Sequence, residues 1–448
     1  MLTRRVRRVM VAAAAIGFVS TAPADARPLD DELARLLSGN PEIRAAANEW
    51  RASRKRIDQA ESAYMPSVTV TGDKGYENID NPARRLDPGE NSSLTREKVT
   101  LEMRYNLFDG YASDAGFEIA TADATLARLN LRAVRQRVIF EGLSVYWRVR
   151  QLNRQLEILE RQLAAIQRQT DLQRQLVDQG TGLAIDSLLA EGRLQNTTNE
   201  RITLQTELVN AEAEYERIFG EPPDYRSMTA PPVVRDRLPP DLQTAIDRAL
   251  GQNPNIEAAS IQIDRARESQ RQAESGWYPE LNLVGTANWE NNVDATPGIR
   301  RDLSVVLRGT WQVFDGFATD SASQAAGYQK SAAQDRNLQT HRAIEETVKR
   351  AWNTLRLNRD AIQTGRRLLE ITEEAVAARR ELVEAGRETQ LVLLDTEIEL
   401  FLRQRQLIAF ETQARLSAYQ LLLAIGELTP DRVGMTAYVF PEDDKTLQ

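Results

Sequence analysis

Two stretches of this chain, Gly110 to Asp178 and Gly316 to Glu384, contain no proline. Each can run as one helix of about 68 residues, roughly 100 Å long at 1.5 Å per residue. That length far exceeds a globular diameter, so the chain is expected to be extended. Along the first stretch Leu152, Leu156, Leu159, Leu163, Ile166, Thr170, Gln173 and Val177 alternate steps of four and three, which is a heptad seam. In the second, Leu355, Ile362, Leu369, Val376 and Val383 recur at sevens. Gly180-Thr181-Gly182 and Ala385-Gly386 break the pattern, after which 183–219 and 389–425 read as helix again. Each long helix should therefore turn back as an antiparallel coiled-coil hairpin. The charged residues beside the seam, such as Arg148, Arg150, Arg154, Glu157 and Glu160, read as its solvated flanks. A plain coiled-coil spacer explains the heptads equally well.

The sequence is also written twice. Asn40-Pro41-Glu42-Ile43 aligns with Asn253-Pro254-Asn255-Ile256 at an offset of 213, and Tyr64-Met65-Pro66 with Trp277-Tyr278-Pro279 at the same offset. Phe108-Asp109-Gly110 aligns with Phe314-Asp315-Gly316, Gly180 with Gly386 and Gly220 with Gly426, at an offset of 206. The first copy thus holds seven extra residues between Pro66 and Phe108. This period is far longer than a solenoid repeat, so it marks a duplicated supersecondary unit. Pro222-Pro223, Pro231-Pro232 and Pro239-Pro240 lie between the copies and read as a linker. Each copy is expected to follow one order: a helix (Leu29 to Ala63, Asp241 to Ser275), two strands, a very long helix and a returning helix.

Each copy offers one β-hairpin. Val99, Leu101, Met103, Tyr105 and Leu107 alternate with Lys98, Thr100, Glu102, Arg104 and Asn106, while Leu303, Val305, Leu307, Gly309, Trp311 and Val313 alternate with mostly polar residues. One face should meet an apolar medium and the other water. Ser67 to Gly72 and Leu281 to Glu290 are the expected partner strands. On alternation alone, a soluble sandwich fits as well as a membrane barrel. Tyr64, Tyr105, Trp277, Tyr278, Trp289 and Trp311 near the strand ends suit the aromatic girdles of an outer-membrane barrel. Four strands cannot close a barrel, which needs roughly eight or more, so closure requires several copies of the chain.

Arg4, Arg5, Arg7 and Arg8, an apolar run from Val9 to Val19, and Ala24-Asp25-Ala26 read as a secretory signal over 1–26. The run is far short of the roughly 20 residues of a spanning helix. Loss of four Arg and one Asp with the signal takes the net charge from -8 to -11, which argues against nucleic acid as a partner. The chain has no cysteine and one histidine, His341, beside Arg342 in a polar helical stretch. The common metal and nucleophile constellations cannot be assembled from that set, so neither cofactor nor enzymatic activity is expected. A structural periplasmic tether is the rival reading from another class.

The duplicated Tyr/Trp-x-Pro strand entry, Leu107-Phe108-Asp109-Gly110 with Val313-Phe314-Asp315-Gly316, and the glycine turns at Gly180 and Gly386 resemble the TolC-like outer-membrane factor family over nearly the whole mature chain. The resemblance implies a mixed α/β membrane protein in the outer membrane with a large periplasmic portion. Four strands per chain would form a homotrimeric 12-stranded β-barrel, continuous with a long periplasmic α-helical coiled-coil barrel. Its parts would be a first repeat over 27–221 (hairpin 66–108, long helix 110–178, return helix 183–219), a linker over 222–240, a second repeat over 241–428 (hairpin 279–314, long helix 316–384, return helix 389–425) and a tail over 429–448. Implied partners are outer-membrane lipid, a periplasmic adaptor, and an inner-membrane ABC or proton-driven transporter. The adaptor would dock on the tip turns Gly180, Thr181, Gly182, Gly386 and Arg387. The family places acidic residues just past the tip glycines, at the channel entrance. Asp186 and Asp395 match such positions, whereas Val392 departs and Glu388 stands where a basic residue is often found. A ring of three Asp395 carboxylates, with Asp186 and Glu388 as further entrance candidates, is the expectation. The Phe-Asp-Gly junction looks like that of members serving type I protein secretion, and multidrug efflux is the alternative.

Overall fold

The computed structural model describes residues 29–79, 93–226, 228, 238–435, 438 and 440. The secretory signal, most of the Pro-rich linker and the last eight residues lie outside them. Helix α1 (Leu29–Gly39) is followed by α2 (Pro41–Glu61), strands β1 (Ser67–Asn78) and β2 (Ser93–Phe108), the long helix α3 (Ala112–Asp178) and its return α4 (Ala184–Phe219). The second copy runs α5 (Leu242–Gln252), α6 (Pro254–Glu274), β3 (Glu280–Asn291), β4 (Ile299–Thr310), α7 (Ala318–Glu384) and α8 (Gln390–Ile425).

The single helix expected at the start of each copy is two helices. Asn40 ends α1 in extended backbone, and its side chain accepts from the backbone N–H groups of Glu42 at 2.9 Å and Ile43 at 3.2 Å. Pro41 then opens α2, where its missing N–H costs nothing. Asn253 repeats the device before Pro254, and its amide also donates to the Ala424 carbonyl at 2.8 Å.

The four strands form one antiparallel sheet in the order β1-β2-β3-β4. They are longer than the alternation implied, with β1 reaching Asn78 and β2 starting at Ser93. β4 ends at Thr310, so Trp311 lies beyond it and donates through Nε1 to the Trp277 carbonyl at 3.2 Å. The aromatic positions are unequal: Tyr64, Tyr105, Trp277, Tyr278 and Trp311 gather at the helical end, while Trp289 and Tyr76 lie toward the other.

At both strand-to-helix junctions the backbone turns left-handed at two successive residues, Gly110 and Tyr111, then Gly316 and Phe317. The aspartate before each pair caps the long helix. Asp109 accepts from the Ser113 N–H at 3.0 Å, and Asp315 from the Ala318 and Thr319 N–H groups at 3.0 and 2.7 Å. This is why Phe-Asp-Gly is written twice: it starts a helix at a fixed angle to a strand.

The helices lie side by side in the order α4-α3-α8-α7, with α2 and α6 flanking the halves of α3 and α7 nearest the sheet. The main core sits midway along, where Leu33, Leu36 and Leu37 of α1 and Ile43 of α2 cover Leu143, Tyr146 and Trp147 of α3. Gly142 lets α1 approach, since a Cβ there would lie 2.6 Å from Leu36 Cδ2. A second core joins Ala245 and Ile246 of α5 to Val348, Leu355, Leu421 and Ile425.

Candidate functional site: the channel wall and its entrance

The strand register decides what the sheet can touch. Opposed residues of paired antiparallel strands share a face. Val68, Met103, Gly285 and Val305 therefore form one row across the sheet, and Val70, Leu101, Ala287 and Leu303 the next. Five such rows run from Leu281 to Trp289 inclusive, about 27 Å along the strand, or roughly 20 Å after the usual 40° barrel tilt. Outer-membrane barrels carry an apolar belt of about 25 Å. This face is bare: Leu303 is 82 % exposed and Val70 66 %. Leaving such a surface in water is costly, because burial of each large apolar side chain is worth about 1.5–3 kcal/mol.

The opposite face is polar and internally paired. Arg96 bridges Asp73 at 3.0 Å and Glu77 at 3.2 Å, Lys98 meets Glu290 at 2.9 Å, Arg300 meets Asp302 at 2.9 Å and Arg104 meets Glu102 at 3.2 Å. An apolar outside and a wet, ion-paired inside are what a barrel wall requires. Among the described residues neither sheet edge, β1 nor β4, has a further strand beside it. Among the described residues no helix is long and apolar enough to cross a membrane, so the sheet is the part suited to lipid.

At the far end the two tip turns close by the same bonds. Gly180 and Gly386 are left-handed, Thr181 and Gly182 donate to the Leu176 carbonyl, and Arg387 donates to that of Leu382. A left-handed glycine followed by a six-to-one bond is the Schellman stop of a helix. Glu388 reaches back to Arg379 of α7 at 3.3 Å, so it ties its own hairpin together. Asp186 lies half-exposed in the first turn of α4, where the helix dipole favours a carboxylate.

Asp395 is exposed on α8 and forms an ion pair with Arg193 of α4 at 3.0 Å. At the same level Ile166, Leu194 and Leu394 make a small core joining α3, α4 and α8. Higher up, Arg405 of α8 reaches Glu200 of α4 at 2.5 Å. The two hairpins are thus fastened to each other twice. Arg193 escapes a reading of the sequence because its partner lies about two hundred residues away and no local spacing marks it. Among the described residues no cluster of three or more His, Cys, Asp or Glu could hold a metal ion.

A duplicated hairpin sheet with a lipid-type outside, continuous with long coiled-coil hairpins, defines a subunit of an outer-membrane channel. Outer membrane efflux protein is the family that matches, over residues 33–221 and 245–427, and the chain belongs to it. It is 24 % identical over 417 residues to the outer membrane efflux protein BepC of Brucella suis biovar 1 (strain 1330), covering 93 % of this chain and 89 % of BepC. The alkaline protease secretion protein AprF of Pseudomonas aeruginosa is 23 % identical over 393 residues, covering 83 % of this chain and 78 % of AprF. The solved structure of the outer membrane protein VceC from Vibrio cholerae superposes with a TM-score of 0.75 at 15 % identity, covering 89 % of this chain and 96 % of VceC.

The protein is accordingly a non-enzymatic duct of the outer membrane with a large periplasmic helical part. Four strands from each of three chains close its 12-stranded barrel, which removes the exposed edges of β1 and β4. The family works with adaptors and inner-membrane transporters.

Proposed function

We propose that this duct serves type I protein secretion, and that its periplasmic entrance is gated where Asp395 meets Arg193. The duct itself rests on one observation, the sheet with a bare apolar face and an ion-paired polar one. Support for secretion comes from the likeness to a protease secretion protein along 83 % of this chain and from the Phe-Asp-Gly junctions. Small-molecule efflux is the second reading, favoured by the likeness to BepC. Deleting the gene separates them. Loss of a protein from the culture medium with unchanged resistance to dyes and detergents supports secretion, while the reverse supports efflux.

Three Asp395 carboxylates at a narrow, low-dielectric mouth would focus a cation-attracting field. Each Arg193 neutralises its Asp395 while the hairpins are fastened, so the field is fully exposed only when they part. Asp395→Ala removes one of the two fastenings together with the charge. Reconstituted trimers should then conduct more and be blocked less by multivalent cations; unchanged conductance and block would remove Asp395 from the gate. Asp186 and Glu388 are the further entrance candidates. The turns at Gly180, Thr181, Gly182, Gly386 and Arg387 are the proposed adaptor contacts.

A further inference from the structure

Four arginines gather beside the main core, on the side nearer the sheet. Arg128, Arg132 and Arg135 follow steps of four and three along α3, which places them on one face. They continue the stripe of Ile139, Leu143 and Tyr146 in the main core, so they lie on the face that carries α1. With Trp50 of α2 and Glu257 of α6 they line a cavity of about 310 Å³. Arg54, one turn beyond Trp50, lies over its ring at 5.6 Å. Neutralisation is incomplete. Among the described residues Glu257 is the one carboxylate in the lining, and it stands 3.9 Å from Arg128, at the outer limit of an ion pair. Arg132 donates through Nη2 to the carbonyls of Gln252 and Gly426 at 3.1 and 3.3 Å, and a carbonyl leaves the charge in place.

The chain itself brings acid to this place. Phe440, the last described residue, is buried in the main core, with its ring 3.8 Å from the Arg135 guanidinium. The next residues in the sequence are Pro441, Glu442, Asp443 and Asp444. Two to four residues span at most about 7 to 14 Å, and Arg135, Arg132 and Arg128 are spread over about 10 Å of α3. The tether therefore reaches the whole row. A group tethered this closely acts at an effective concentration on the order of millimolar, which sets it ahead of a free anion of similar weak affinity. α2 and α6 both pack on α3, so the cavity lies within the protomer, and a neighbouring copy joined at its edges leaves it open.

We propose that the acidic segment Glu442-Asp443-Asp444 docks in this cavity, its carboxylates set against Arg128, Arg132, Arg135 and Arg54, as a clasp that holds the end of the second copy to the long helix of the first. Charge complementarity and the short tether select this occupant. The clasp adds to a junction already present, because the Gly426 carbonyl at the end of α8 accepts from Arg132 and, at 2.7 Å, from Gln136 of α3. The inference is independent of whether the duct carries proteins or small molecules.

The chain has no cysteine, so an introduced pair reports on the tail alone. In full-length trimers carrying Glu257→Cys and Lys445→Cys, mild oxidation should form a disulfide within each chain. Adding Glu442→Lys, Asp443→Lys and Asp444→Lys should slow its formation about tenfold or more, since several weak exposed pairs act together, and raised salt should slow it as well. Arg128→Glu alone should also slow it, and Arg128→Glu combined with Asp444→Lys should restore part of the rate, as a coupled pair requires. Should these changes impair trimer assembly, a fluorophore on Lys445→Cys in the otherwise unaltered chain gives the same decision: Trp50 should quench it, and Trp50→Phe should remove the quenching. A disulfide between chains, no disulfide, or a rate indifferent to charge and salt overturns the proposal, as does a fluorophore that Trp50→Phe leaves unchanged.

Discussion

The two copies share their lengths but not their environments. α3 and α7 each have 67 residues, and α4 and α8 each have 36. Yet α3 buries twenty residues, among them Tyr146 and Trp147 at 1 % and 2 % exposure, where α7 buries eight, mostly small. The reason is position. α3 lies between α4 and α8, whereas α7 is an edge, leaving Tyr328, Leu338, Leu357 and Ile371 exposed. On the opposite edge α4 leaves Ile202 and Val209 exposed. The long helix of the duplicated unit has thus become a core in the first copy and an edge in the second, and the uncovered residues of α7 and α4 are the two edges left for a neighbouring chain.

The largest test of this division uses glycines that match in sequence and backbone but not in surroundings. Gly110 and Gly316 have φ of +68° and +69°. A Cβ on Gly110 would lie 2.6 Å from the Ser275 carbonyl oxygen and 2.8 Å from Tyr278 Cβ, while one on Gly316 would meet nothing within 4 Å. Gly316→Ala should cost only the left-handed strain, about 1–2 kcal/mol. Gly110→Ala should cost about 2–5 kcal/mol, the same strain plus overpacking. At the other end the asymmetry inverts. A Cβ on Gly426 would lie 2.8 Å from Asn253 Cα, whereas Gly220 has open space, so Gly426→Ala should exceed Gly220→Ala. Thermal unfolding of the four detergent-solubilised variants measures both orders; equal effects within a pair would deny that the copies differ in packing.

A smaller effect is expected at the seam. Leu357 on α7 is 59 % exposed in the single chain and Ile202 on α4 52 %. If a neighbour covers them, Leu357→Asp or Ile202→Asp removes about 1.5–3 kcal/mol of burial per chain. Such variants should keep their helical circular dichroism and elute as monomers in detergent. Trimers that survive both changes would place the seam elsewhere.

Legibility in the sequence divides along the same line. Proline-free heptads, the repeated Phe-Asp-Gly and the tip glycines are local signals, and each marks a helix, junction or turn at the expected place. The strands look shorter in the sequence than they are because Lys74 and Glu97 interrupt the apolar alternation. The register sets them opposite each other on that face, where they pair at 2.6 Å. The break at Asn40 carries a local signal too, an asparagine cap with a proline at the first helical position, which a single helix over 29–63 passes over. The pairing of Arg193 with Asp395 is illegible for another reason. A charge on a helix looks solvated until the helix beside it is known, and here that helix comes from the other copy.

The smallest expected effect concerns the caps at the two junctions, where the copies are most alike. Asp315 accepts from the backbone N–H and the hydroxyl of Thr319 at 2.7 and 2.5 Å, and from the Ala318 N–H. The Thr319 hydroxyl and then its N–H hold the Asp315 carboxyl below its ordinary value of 3.8, against a weaker opposing push from burial. A carboxyl depressed on folding stabilises the native state above its unfolded pKa, and that contribution fades as the pH falls through the folded value. The Asp315 cap should therefore be at full strength at neutral pH and fade below 3.8. Asp315→Asn keeps an acceptor but cannot titrate. Its melting temperature should lie below that of the unaltered protein at pH 7, and the gap should narrow as the pH is taken below 3.8. A gap that stays constant with pH would show that the N-terminus of α7 is held by its packing on α6 rather than by the charge of its cap.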